Sequence, residues 1–148
     1  MESKFIQSTI ESGQVEMEEI EKVAEENFKT WANSLLTKDP QKVADLYAED
    51  ATFLPTLSPD FKLGKSETKE YFEHFLLKNP EGEIKSEVVQ DLGRFCYLHS
   101  GLYDFEVNGL DGKRNPVEAR FSFVWRKDSD GKWRIIHHHS SVRPKLNH

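Results

Sequence analysis

Residues 117–144 read VEARFSFVWRKDSDGKWRIIHHHSSVRP, two runs of β-branched and aromatic residues around Asp128-Ser129-Asp130-Gly131. Gly131 can take the positive φ that a hairpin turn needs, so the stretch predicts a long β-hairpin. In the first strand Val117, Ala119, Phe121, Phe123 and Trp125 share one face, and Glu118, Arg120, Ser122, Val124 and Arg126 share the other. In the return strand Trp133, Ile135, His137, His139 and Ser141 alternate with Arg134, Ile136, His138 and Ser140. Strands of this length are expected at the centre of a sheet. The side that carries the ionisable groups is read as the concave one.

With 148 residues, 36% hydrophobic and 11% aromatic, the chain is long enough for one domain with its own core. Its net charge of −6 argues against a nucleic-acid binder, which needs a basic stripe. One cysteine, Cys96, excludes an internal disulfide and fits a reducing cytoplasm; it reads as a small buried residue on its strand. No apolar run approaches the ~18 residues of a membrane span, and the N-terminal residues lack the apolar core of a signal peptide. No membrane partner is expected.

Residues 1–16 read as a flexible N-terminal arm or a loose helical extension, and residues 17–148 as the domain. From Met17, the residues Ile20, Val23, Ala24, Phe28, Trp31 and Leu35 recur at three- and four-residue spacing, an apolar stripe on a helix of about five turns. It stops near Lys38. Asp39-Pro40 opens a second helix that presents Val43, Leu46 and Tyr47. Residues 51–55 (ATFLP) read as a short strand. Pro55, Pro59 and Gly64 mark a loop, and Ser66 caps a third helix that buries Tyr71, Phe72, Phe75 and Leu76. Strands follow at 83–92 and 95–105, with turn chemistry at Gly93-Arg94, Asn108-Gly109 and Asp111-Gly112. The order predicts an α+β fold, three helices packed on one face of a curved mixed or antiparallel sheet.

The helix with an inward Trp31, LYAEDATFLPT at 46–56, YFEHFL at 71–76 and DGKWRIIHHHSSVRP at 130–144 together resemble the NTF2-like (cystatin-like) superfamily. They look most like the association (hub) domain of calcium/calmodulin-dependent protein kinase II and its stand-alone, SnoaL-like relatives. The resemblance spans 18–144. It implies a cone-shaped sheet around a long helix, a cavity at the open end, and dimers that in the kinase hub stack into two-tiered rings. It does not bring the kinase, because the chain has no Gly-rich phosphate loop, catalytic loop or Asp-Phe-Gly. Nor does calmodulin binding carry over, since residues 11–26 are acidic rather than a basic amphipathic helix.

Arg120 is the first candidate for a pocket that takes a small carboxylic acid, the alternative being an ion pair with Glu118 or Asp104. Tyr71 stands where the hub family places a pocket-lining tyrosine, the alternative being a core aromatic bonded to a backbone carbonyl. Tyr47, Trp31, His137 and His139 join the candidate pocket. His137 and His139 share a face, but no third ligand stands at metal spacing, and neither metal nor cofactor is expected. His99 on the neighbouring strand could join a pH-sensitive cluster. The hub has an arginine where this chain has Gly101, which implies a less cationic cavity.

Phe123, Trp125, Trp133 and Ile135 are too large and apolar for a free surface and are expected to form the interface of a self-associating hub. The competing reading is an isomerase, cyclase or dehydratase working in the cone, with Asp50, Asp104, His99, His137 and His139 as acid–base candidates. An acid–base pair about 3 Å apart and converging on the cavity would favour the enzyme.

Overall fold

The computed structural model of the chain describes residues 2–146, those before residue 16 as backbone alone. Its elements are α1 (Glu2–Leu36), α2 (Pro40–Ala44), β1 (Tyr47–Leu54), β2 (Lys62–Leu63), α3 (Gly64–Phe75), β3 (Glu81–Asp91), β4 (Cys96–Asn108), β5 (Arg114–Lys127) and β6 (Trp133–Val142), with one 3₁₀ turn, Leu76–Lys78, after α3. The six strands make one sheet in the order β2-β1-β6-β5-β4-β3. β1 runs parallel to β6, and every other pair is antiparallel. The fold is α+β with a mixed sheet, and the 117–144 hairpin lies at its centre.

Helix boundaries follow local chemistry. α1 is continuous from Glu2, so the backbone of the expected arm continues the helix; the side chains of Phe5, Ile6 and Ile10 lie outside the described residues. It ends at Leu36, just before Lys38 turns left-handed at φ 58°. The Asp39 side chain caps α2 by accepting from the Gln41 N–H at 2.9 Å, with Pro40 at the first helical position. α2 stops at Ala44, so Leu46 and Tyr47 are not helical, and Tyr47 opens β1. Ser66 is no cap: α3 begins two residues earlier, at Gly64, whose φ of 81° suits glycine.

The concave side of the sheet is the aromatic one. Ala119, Phe121, Phe123 and Trp125 of β5, Tyr97, Tyr103 and Phe105 of β4, Ile135 of β6 and Phe53 of β1 are buried with Phe28, Trp31 and Leu35 of α1 and Phe72 and Phe75 of α3. Each buried Phe, Leu or Ile among them contributes about 1.5–3 kcal/mol by leaving water. This corrects the expected orientation. Strand alternation defines two faces, but α1 can only be covered by the face with enough apolar area, and that is the Phe121–Trp125 face. Phe123, Trp125 and Ile135 are therefore core, not interface. Trp133 is half-buried and packs on Tyr97 with ring centroids 5.2 Å apart.

β6 holds a second surprise. Trp125 pairs with Ile135, but Val124 pairs with His137, so Ile136 is an extra residue in the ladder. This bulge inverts the alternation beyond it. His137 and His139 turn outward, and His138 and Ser140 turn into the core. The turn itself is closed by Asp128: it accepts from Arg126 at 2.7 Å and Arg134 at 2.9 Å, while Asp130 accepts from Arg134 at 2.8 Å. Arg134 holds the Asp130 carboxyl down to about 2.

Candidate functional site

Three features stand out: a buried polar chain, a surface cleft beside α3, and a charge-free strip on the outer face. The chain starts at Trp31, whose Nε1–H can only donate, and does so to the Tyr47 hydroxyl at 3.1 Å. With the His138 proton on Nε2, 3.2 Å from the Tyr103 hydroxyl, the Tyr47 hydroxyl donates to His138 Nδ1 at 2.8 Å. Tyr103 donates to Ser140, and Ser140 meets Thr56. Tyr71 closes the outer end by donating to the Thr56 carbonyl at 2.7 Å. Burial pushes the His138 imidazole well below the usual histidine range, with the neighbouring His137 and His139 adding to it, so it is neutral as this pattern requires. Its ring lies flat on Phe123 at 4.0 Å and Phe53 at 4.7 Å.

These groups fill the cone. Trp31, Tyr71, Tyr103, His138 and Ser140 surround a void of about 10 Å³, room for one water, and among the described residues no arginine or lysine lines it. Of the expected pocket residues, Trp31 and Tyr47 are in this interior and Tyr71 forms part of its wall. Arg120, His137 and His139 are not. Arg120 is exposed on the convex side, its Nε 3.3 Å from Ser141 Oγ. His137 bonds Thr52 at 2.6 Å on that same outer side.

His138, Tyr103, Ser140 and Thr56 were missed. His138 and Ser140 do alternate together in the sequence, but the choice of inward face and the bulge at Ile136 together hid that their side is inward. Among the acid–base candidates, Asp50 is exposed near Arg126 at 3.8 Å and Asp104 pairs across the sheet with Glu118 and Glu83. His99 is fully buried against Phe28 and Phe121, with Nε2 3.2 Å from Glu87. Burial lowers its pKa against the opposing pull of Glu87. That pair does not converge on the void.

Outside the cone wall, a cleft of about 370 Å³ lies between α3 and the loop that leads into β2. Thr56, Tyr71 and Phe75 line both the cleft and the inner void, so they form the partition between them.

On the convex face, strand register aligns two rows. Gln90, Leu98, Val124, His137 and Thr52 form one, and Val88, Ser100, Ser122, His139 and Leu54 the next. Neither contains Asp, Glu, Lys or Arg, in a chain where these make up 31% of residues. Arg126 and Arg134 lie beyond one end of the strip, Arg120 and then Asp104 and Glu118 beyond the other.

The family model for the calcium/calmodulin dependent protein kinase II association domain matches residues 16–144. The chain belongs to this family. A protein from Xanthomonas campestris described as such an association domain has a solved structure at 43% identity, covering 80% of this chain and 84% of its own, with a TM-score of 0.77. An NTF2-like superfamily protein from Salmonella enterica shares 19% identity over 88% of this association domain chain and 96% of its own, at TM-score 0.76. A ketosteroid isomerase-like protein from Erwinia carotovora shares 17% over 82% and 94%, at TM-score 0.68. These last two likenesses are of fold. No curated protein matches the sequence.

Proposed function

We propose that this association domain self-associates, as a dimer at least, through the outer face of β4, β5 and β6. The charge-free strip carries the reading. Leu98, Val124, Ser100 and Ser122 offer apolar and small groups that a second copy can cover without stranding a charge, which suits a two-fold contact of the strip with itself. Membership of an association domain family supports the same reading. Val124 is half-exposed and outside the core, so Val124→Glu should leave circular dichroism unchanged while the mass in solution falls to that of a monomer. An unchanged assembly would sink this interface.

The strip also makes assembly pH-dependent. His137 already sits below the usual histidine range, first through burial and then through His139. Covering it with an identical strip removes more water and adds no carboxylate. The assembled state then binds fewer protons than the free one, so assembly is full above the free protomer's His137 value, itself below the ordinary ~6.5, and weakens as pH falls below it. A His137→Asn, His139→Asn double variant should hold its mass from pH 7.5 to 5.5. If the wild type does so too, the histidines are not at the interface.

A second reading concerns a ligand. The cone interior is filled, so the site for a small carboxylate-bearing molecule is the cleft beside α3, whose volume suits one. An enzyme working inside the cone has no comparable support, since His138 meets only hydroxyls and aromatic rings in a space that holds one water.

A further inference from the structure

The cleft beside α3 has a charge pattern that specifies more than a carboxylate. Glu70, Tyr71, His74, Phe75 and Lys78 line it along α3 and the turn that follows, opposite Leu57, Asp60 and Lys62. At one end the Lys62 ammonium is held by two carboxylates, Asp60 at 3.6 Å and Glu70 at 3.7 Å, so that end carries a surplus negative charge. At the other end Lys78 has no ion pair among the described residues. The 3₁₀ turn that carries it is pinned by the Arg114 guanidinium, which donates to the Asn79 carbonyl at 2.7 Å. Glu70 and Lys78 are eight residues apart along α3 and the 3₁₀ turn, about 13 Å by their rises, and both line the cleft. Between the two ends the Tyr71 and Phe75 rings lie near-parallel, 5.4 Å apart, with Leu57 across from them.

We propose that the cleft binds an end-to-end zwitterion, a small molecule with an amine at one end, a carboxylate at the other and a flat or apolar body between. The amine sits with Asp60 and Glu70, the body lies on Tyr71 and Phe75, and the carboxylate meets Lys78 beside His74. A simple anion gains nothing from the Asp60–Glu70 end and a simple amine nothing from Lys78, whereas a molecule with both charges can contact both ends. The inference rests on the cleft being a ligand site and adds the class of ligand. It is independent of self-association.

A matched series of probes tests it by calorimetric titration of the full chain: 4-(aminomethyl)benzoate, 4-methylbenzoate, which lacks the amine, and 4-methylbenzylamine, which lacks the carboxylate. The zwitterion should bind at least about tenfold more tightly than either of the others, the effect of one added charged hydrogen bond. Lys78→Met should reduce its affinity to that of 4-methylbenzylamine, and Glu70→Gln to that of 4-methylbenzoate. Both residues are exposed, so neither change should alter the melting temperature. If 4-methylbenzoate binds as tightly as the zwitterion, the carboxylate site survives and the zwitterion proposal falls. If no probe binds, both fall.

Discussion

Gly101→Ala should cost this domain several kcal/mol and lower its melting temperature by about 10 °C or more. Gly101 lies on β4 between His99 and Tyr103, the inward-facing residues on either side of it. The facing strand β3 bulges between Ile84 and Ser86. A Cβ at Gly101 would stand 1.9 Å from the Ser86 carbonyl oxygen and 2.8 Å from its carbon. Those atoms are backbone, so no rotamer change relieves the overlap; the β3–β4 ladder must shift. Overpacking costs about 1–3 kcal/mol where side chains can adjust, and more is expected here. Each kcal/mol moves the transition of a domain this size by about 2–4 °C or somewhat more. Gly82→Ala is the comparison, because the three atoms nearest its Cβ would all belong to the Phe105 ring, the closest at 2.9 Å, and a side chain shifts more readily than the backbone of a paired strand. Thermal unfolding should therefore rank Gly101→Ala well below Gly82→Ala. Equal losses would contradict the close approach of β3. The same contact leaves no room for a long side chain at this position.

His138→Ala should cost about 4 kcal/mol, measured by denaturant unfolding. It removes a fully buried ring stacked on Phe53 and Phe123, opening a cavity, and it strips the Tyr47 and Tyr103 hydroxyls of their shared partner. His138→Leu keeps most of the volume and should cost less, chiefly the two broken hydrogen bonds. The leucine variant also isolates the pH effect. In the folded state His138 has a depressed pKa, so the unfolded chain binds the extra proton. Stability is then full above about pH 6.5 and is lost as pH falls below it. Buried His99, also depressed, acts with the same sign. Wild type should lose stability more steeply between pH 7 and 5 than His138→Leu. Parallel profiles would mean that His138 is not buried neutral.

Much of this architecture was legible in the residues. The 117–144 hairpin, the Ile20–Leu35 stripe and the Asp39-Pro40 helix start all rest on short-range chemistry, periodicity or capping, and each lies where that chemistry puts it. What failed needed long-range information. Alternation along β5 separated Phe121, Phe123 and Trp125 from Arg120 and Ser122, yet nothing local says which set meets α1; the total apolar area decides. The bulge at Ile136 has no glycine or proline to mark it, and it reversed the roles of His137, His138 and His139. β1 starts at Tyr47 because it pairs in parallel with β6, where the Ile135 N–H donates to the Leu46 carbonyl at 2.8 Å, a partner almost ninety residues away. The candidate site suffered most because it inherited both errors. Trp31, Tyr47 and Tyr71 face the interior because they sit on or beside helices whose inward faces were clear, and Tyr71 takes the alternative of a hydroxyl bonded to a backbone carbonyl; every candidate on the hairpin depended on the face and the register.

The most direct test of the central claim is the mass of the purified protein in solution, by light scattering after size exclusion at pH 7.5. The outer strip predicts a particle of at least twice the 17.2 kDa chain, whatever the final number of subunits. A monodisperse particle at 17.2 kDa, at concentrations well above micromolar, would contradict self-association through this face.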